Sequence, residues 1–63
     1  MSRWNITGNK NMIAQISEVV NSDGYHIVTA ITEKGNTATE SYYYDSDRDY
    51  DYEKAQQRAL DKD

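Results

Sequence analysis

The chain has 63 residues, enough for one small domain, and it is acidic, with 11 Asp and Glu against 7 Lys and Arg and a net charge of −4. The absence of cysteine excludes disulfides and thiolate metal sites, and the single histidine excludes a multi-histidine metal site. The acidic balance argues against strong DNA binding, which needs a basic surface, and favours basic protein partners.

A core of this size rarely supplies more than about 3–5 kcal/mol of net stability. Since disulfides and metals are excluded, association with a second copy is the stabilising device that remains, and we expect a homodimer. No apolar run reaches membrane-spanning length and no signal peptide opens the chain. We therefore expect a cytoplasmic protein that does not bind a membrane.

Residues 1–11 are mostly polar and end in a turn-like Gly8-Asn9-Lys10-Asn11 cluster. Within them, residues 4–7 can form a short extra strand, or the whole segment can be a loose arm. Both interpretations stay open.

Three strands are predicted over residues 12–20, 25–32 and 37–44, which are rich in β-branched and aromatic residues. Strands of about eight residues separated by four-residue turns predict consecutive antiparallel hairpins. If the strands pair symmetrically across these turns, Val20 lies opposite Tyr25 and Thr32 lies opposite Thr37.

This register predicts two sheet faces of different character. The better core face, which we expect to lie under a helix, collects Ala14, Ile16, Val20, Tyr25, Ile27, Ile31, Ala38, Tyr42 and Tyr44. The opposite face is half apolar and needs a cover. We predict that a second copy covers it, through a dimer interface formed by Val19, His26, Val28, Ala30 and Tyr43.

The spacing of the apolar residues changes after residue 44, from the alternation of a strand to that of a helix. Tyr52, Ala55 and Ala59 recur at helical spacing and predict a helix over 49–61. The predicted fold class is α+β: an antiparallel β-meander of three to four strands (12–44) followed by one C-terminal α-helix packed on one sheet face, in a single domain over 1–63.

Four alternating acids precede and open the helix: Asp45, Asp47, Asp49 and Asp51. They resemble the start of an EF-hand loop, but Tyr50 replaces the required glycine and Gln56 replaces the required glutamate, so we predict no metal site. They are either capping acids at a strand-to-helix junction or an acidic epitope for a partner. In an extended backbone the carboxylates would form a row with a spacing of about 6.5–7 Å.

Tyrosine is enriched at protein interfaces. We predict that Tyr42, Tyr44 and Tyr52 pack between sheet and helix, whereas Tyr43 and Tyr50 join the four aspartates as partner-binding candidates.

A basic stripe on the helix has two possible roles. Lys54, Arg58 and Lys62 fall on one face, where they either pair with neighbouring acids or contact nucleic-acid phosphates. His26 has no nucleophile or acid at a recognisable catalytic spacing, and the chain has no phosphate-binding loop. We therefore predict no catalytic residues, no enzyme activity and no cofactor.

The order of strands 12–20, 25–32 and 37–44 with helix 49–61 resembles the PC4-like single-stranded-DNA-binding fold. In size, acidity and lack of motifs the chain is similar to small phage-encoded anti-defence proteins, including anti-CRISPR proteins. The leading function that these resemblances imply is a non-enzymatic phage or mobile-element inhibitor, which binds a host nucleic-acid-handling (defence) protein through a basic surface. The alternative is a PC4-like single-stranded nucleic-acid-binding module, although PC4-like sheets are expected to carry basic residues.

Overall fold

The computed structural model describes residues 12–63. Its elements, in chain order, are β1 (Ile13–Val20), β2 (His26–Thr32), β3 (Thr37–Tyr42), a 3-10 turn (Asp45–Asp47) and helix α1 (Arg48–Asp61). The strands form an antiparallel sheet in the order β1-β2-β3, and α1 packs on one face of it. The α+β meander with a C-terminal helix is confirmed. The possible strand at 4–7 lies outside the described residues.

The first hairpin turn is a three-residue loop and not the four-residue loop that we predicted. The backbone N–H of Asn21 donates to the Tyr25 carbonyl at 2.9 Å, so these two residues are the last pair before the loop. The loop ends at Gly24, whose φ of 88° lies in the left-handed region that favours glycine. The Asn21 side chain accepts hydrogen bonds from the backbone N–H groups of Asp23 and Tyr25, which holds the turn in this form.

The second turn repeats the arrangement. The N–H of Thr32 donates to the Asn36 carbonyl at 2.8 Å, and Gly35 closes the loop with a φ of 94°. The Thr32 hydroxyl accepts from the Asn36 N–H, as the Asn21 side chain does in the first turn. A turn followed by a left-handed glycine is a common three-residue hairpin connection.

Both registers are therefore shifted by one residue from the prediction. Val20 lies opposite His26 instead of Tyr25, and Thr37 lies opposite Ile31 instead of Thr32. Because strand side chains alternate with a period of two, a one-residue shift exchanges the two faces of β2 relative to its neighbours.

The face predicted for β2 is consequently wrong. Val28 and Ala30, which we assigned to the uncovered face, are fully buried beneath α1. Tyr25, Ile27 and Ile31, which we assigned to the core, alternate with them and point away from the helix.

The predictions are better for β3 than for β1, where Ile16 and Val20 lie on the helix side as predicted but are 36% and 58% exposed. Ala38 and Tyr42 are buried in the core, as predicted. Tyr44 is 66% exposed, against the prediction, because the chain has left the sheet at that point. Ala14 is also exposed, since a β-bulge at this position breaks the register and turns Ile13 towards the core.

Small side chains bring α1 close to the sheet. Ala55 and Ala59 are fully buried on the helix, and they face a sheet surface that includes Ala30 and Ala38. The helix packs on β2 and β3 and barely reaches β1. Within residues 12–63, no helix is both long and apolar enough to span a membrane.

The close alanine contact predicts a specific sensitivity to side-chain volume. Ala59→Leu should lower the free energy of unfolding by about 1–3 kcal/mol, because the added methyl groups force the helix away from the sheet. Gln57→Leu, two residues away on the exposed side of α1, is the matched control and should stay within about 0.5 kcal/mol. Urea unfolding followed by circular dichroism measures both, and equal midpoints would contradict a close helix–sheet contact.

Candidate functional site

The sheet face opposite α1, here called the open face, carries no charged strand residue within residues 12–63. In the described part of the chain, the strand residues on this face are Gln15, Ser17, Val19, Ile27, Thr29, Ile31, Thr37, Thr39 and Ser41. None of them carries a charge, although 29% of the residues in the whole chain are charged. The charged strand residues, Glu18 and Glu40, lie on the helix side.

The register arranges the open face in three cross-strand rows: Val19-Ile27-Ser41, Ser17-Thr29-Thr39 and Gln15-Ile31-Thr37. The middle row consists of hydroxyl side chains, and the Oγ1 atoms of Thr29 and Thr39 lie 3.5 Å apart. The two isoleucines flank Thr29 on the central strand, so apolar area lies on both sides of the hydroxyl row.

Tyrosines extend the open face at the end nearest the first turn. The rings of Tyr25 and Tyr43 are 5.3 Å apart, and Tyr44 packs edge-on against Tyr43 at 5.1 Å. Gly24 lies beneath the Tyr43 ring, and a Cβ there would stand 3.2 Å from a ring carbon. Few charges and exposed tyrosines are the composition of the centres of protein interfaces.

The four alternating aspartates do not form the extended row considered above. Asp45 and Asp47 lie in the 3-10 turn, and Asp49 and Asp51 lie in the first turn of α1. The helical backbone turns Asp51 inwards, where it is buried, and leaves the other three exposed. Asp47 occupies the N-cap position, but its side chain makes no capping hydrogen bond.

Acidic charge is nevertheless concentrated here, in a part of the chain that we call the acidic segment (residues 45–53). It contains five acids and one arginine, a net charge of −4 that equals that of the whole chain. Tyr44 precedes it at 66% exposure, and Tyr50 lies within it at 63% exposure. The ammonium of Lys54 lies 5.6 Å from the centre of the Tyr50 ring.

The basic stripe of Lys54, Arg58 and Lys62 borders β3. The guanidinium of Arg58 forms an ion pair with the Glu40 carboxylate, and the ammonium of Lys62 donates to the Thr37 carbonyl. Two of the three cations that we considered for phosphate contacts are thus engaged by the chain itself.

A polar cluster around Glu18, which we call the Glu18 cluster, joins the sheet to the start of α1. The hydroxyls of Tyr42 and Tyr52 donate to the carboxylate, the former at 2.7 Å. Nδ1 of His26 lies 2.8 Å from the carboxylate, and Nε of Arg48 lies 3.6 Å from it. Both oxygens are engaged, so the cluster ties α1 to β1, a strand that the helix otherwise barely contacts.

Hydrogen bonding and burial lower the pKa of the carboxylate in this cluster and raise the pKa values of its two phenols. Donation from Tyr52, Tyr42 and His26 stabilises the charged carboxylate and lowers the pKa of Glu18 to about 2. Burial in the core, followed by the hydrogen bond to the Glu18 carboxylate, raises the pKa of Tyr42 to about 12. The hydrogen bond to Glu18 likewise raises the pKa of Tyr52.

The Glu18 cluster was not predicted from the sequence. His26, which we assigned to the dimer interface, stacks on Tyr42 with ring centroids 4.6 Å apart. One signal was available: Glu18 is the only charged residue in the segment 12–20. Because burying a charge without a partner is costly, an acid in an otherwise apolar strand is expected to have a hydrogen-bonding or ionic partner.

A second polar contact, which we call the Asp63 clamp, lies beyond the other end of α1. Oδ1 of Asp63 accepts from the Thr32 hydroxyl at 2.8 Å and from the Asn36 amide at 2.6 Å. These donors, Asn36 foremost, hold the pKa of Asp63 below its ordinary value. The clamp links the second turn to the end of the helix.

The predicted dimer interface does not form one surface. Val28 and Ala30 are fully buried beneath α1 and His26 lies on the helix side in the Glu18 cluster, so these three do not share a face with Val19. Val19 and Tyr43 do lie on the open face, exposed by 62% and 52%.

Comparisons with protein-family models, with curated proteins and with solved structures give no match for this chain. Across residues 12–63, no three His, Asp or Glu side chains gather as metal ligands, and no pocket is found. The candidate functional surfaces are therefore the open face and the acidic segment.

The Glu18 cluster predicts a loss of stability in acid. The folded pKa of about 2 lies below the ordinary value of 4.5, so the stabilisation is complete above pH 4.5 and is lost as the pH falls towards 2. Glu18→Gln should lower the melting temperature near neutral pH and flatten its decline in this acid range. The Asp63 clamp remains and leaves some acid dependence. Glu33→Gln, in an exposed turn, should keep the wild-type pH profile of the melting temperature.

Tyr42 predicts the converse behaviour in alkali. Its folded pKa of about 12 lies above the ordinary value of 10.0, so the stabilisation is present below pH 10 and is lost as the pH rises towards 12. Tyr42→Phe should melt at a lower temperature near neutral pH and show a shallower alkaline decline. Tyr44→Phe, at an exposed ring, is the control, and identical alkaline profiles for the two variants would refute the assignment.

Proposed function

We propose that this chain is a non-enzymatic interaction protein that binds a basic surface of a host nucleic-acid-handling protein and inhibits it. The observation that carries the proposal is the concentration of acidic charge in the acidic segment, beside the exposed rings of Tyr44 and Tyr50. More specifically, we propose that the chain is a phage or mobile-element protein that inhibits a host defence protein.

The helical backbone gives the acidic segment a defined shape. Asp49 and Glu53 are four residues apart on α1, so they share one face of the helix. Asp45 lies in the 3-10 turn that precedes this face. All three are exposed. Successive carboxylates at this interval are about 6 Å apart along a helix axis. We call these three residues, Asp45, Asp49 and Glu53, the acidic stripe. The stripe can engage a row of Lys and Arg side chains and speed the encounter with a positive surface.

A protein partner fits the surfaces better than a nucleic acid does. Single-stranded nucleic-acid binding combines stacking aromatic rings with a basic groove. Exposed tyrosines are present, but the open face has no charge and Arg58 and Lys62 already have partners within the chain. The PC4-like alternative therefore gains no support from the placement of the basic residues.

The proposal predicts that partner affinity depends on the acidic stripe. The triple variant Asp45→Lys, Asp49→Lys and Glu53→Lys should weaken binding by roughly ten- to a hundredfold, since each exposed ion pair contributes up to about 1 kcal/mol and reversal adds repulsion. The wild-type chain and the triple variant are each immobilised and used to capture proteins from an extract of the host cells. A captured protein is then purified, and its affinity for the wild-type chain and for the variant is measured by calorimetry.

The matched control reverses three exposed acids elsewhere: Asp23→Lys, Glu33→Lys and Asp61→Lys. Its net charge equals that of the stripe variant, so a general charge effect would weaken both equally and would contradict the proposal. A neutral set, Asp45→Asn, Asp49→Asn and Glu53→Gln, repeats the test without adding cations near the start of α1. Binding of the wild-type chain to a labelled single-stranded oligonucleotide, lost on raising the salt, would favour the PC4-like alternative.

A further inference from the structure

We propose that the open face binds the same face of a second copy of this chain, so that two sheets pack face to face in a homodimer. This interface is separate from the acidic segment and does not rest on the function proposed above. It also differs from the dimer interface expected from the sequence, whose central residues Val28 and Ala30 lie beneath α1.

The lack of charge on the open face favours a second copy over a charged partner as the occupant. Among the strand residues within 12–63, the open face can be covered by its own copy without burying an ionised group, because none of them on this face is charged. A partner with a charged surface would have to desolvate ions that this face cannot pair, which is costly. The chain as a whole has a net charge of −4. Two copies can therefore approach through this uncharged part of the strands with the least local repulsion.

The arrangement of side chains is also suited to twofold symmetry. Thr29 lies at the middle of the β2 face, with Ile27 and Ile31 at equal distances along the strand. A twofold axis parallel to β2 places Ile27 on Ile27 of the second copy, and an axis across β2 at Thr29 places Ile27 on Ile31. Both arrangements stack isoleucine on isoleucine and hydroxyl on hydroxyl, as a self-complementary interface requires.

The size of the face sets the strength of the association. Three strands about 4.8 Å apart and about six residues long make a surface of roughly 14 by 20 Å, and packed sheets lie about 10 Å apart. This is small beside the roughly 800 Å² per partner of a standard interface. Tyr25 and Tyr43 enlarge it at one end. We therefore expect a dissociation constant in the micromolar range or weaker.

Added salt should act in opposite directions on this interface and on the binding of the acidic segment. Two copies with a net charge of −4 repel each other at long range, so added salt should strengthen the dimer by screening that repulsion. Binding of the acidic segment to a basic partner should weaken under the same conditions. Opposite salt responses of the two equilibria thus distinguish the two surfaces.

Adjacent valines of β1 provide a closely matched pair of variants for the test. Val19 is 62% exposed on the open face, and Val20 is 58% exposed on the helix side of the same strand. Sedimentation equilibrium of the full chain should show reversible dimers for the wild type and for Val20→Lys. Val19→Lys should raise the dimer dissociation constant at least tenfold, because it places an ammonium from each copy in the interface.

A direct readout uses a mixture of isotope-labelled and unlabelled chains. Nuclear Overhauser contacts between methyl groups of Ile27 or Ile31 on different copies are expected. A wild type that stays monomeric up to about 1 mM would overturn the proposal. So would a dimer that survives Val19→Lys but dissociates with Val20→Lys, or one without these inter-copy contacts. The stripe variant Asp45→Lys, Asp49→Lys and Glu53→Lys should still dimerise, and folded Val19→Lys should still bind the basic partner, so each proposal can fail alone.

Discussion

The register imposed by the two three-residue turns governs the rest of this molecule. Gly24 and Gly35 take the left-handed conformation at the third loop position, and the side chains of Asn21 and Thr32 hold the loops closed. A loop with one more residue would move every β2 side chain to the other face. The isoleucines of β2 would then replace Val28 and Ala30 beneath α1 and would have to fit against Ala55 and Ala59. Turn geometry and the packing of Val28 and Ala30 beneath the helix thus favour the same register.

The apolar contact between α1 and the sheet is built largely from alanines, so polar contacts at both ends of the helix support it. The Glu18 cluster ties its first turns to β1 and β2, and the Asp63 clamp ties the chain after its last turn to the second hairpin. Hydrogen bonds to charged acceptors are stronger than neutral ones. Because these contacts need ionised carboxylates and protonated phenols, attachment of the helix is linked to pH at both extremes.

Local patterns predicted the elements of this fold, and what they missed arises from the exact loop lengths and from tertiary contacts. The helix expected at 49–61 is Arg48–Asp61, because helical periodicity is a property of the segment itself. The four-residue spacing between strands located both turns, yet the same residues fit loops of three or four residues. The prediction of four-residue loops assigned β2 to the wrong face. The Glu18 cluster joins residues up to 34 positions apart, beyond the reach of periodicity.

The separation of charge between surfaces would let the two proposed associations coexist on so small a chain. The charged strand residues lie on the helix side, and the acidic segment lies at the start of α1. In the proposed dimer the two sheets meet at the centre, so each α1 lies on an outer surface and both acidic segments remain accessible. Covering the open face therefore leaves the acidic segments free, and the dimer could present two of them to a partner with repeated basic sites, which would raise the apparent affinity without any new contact.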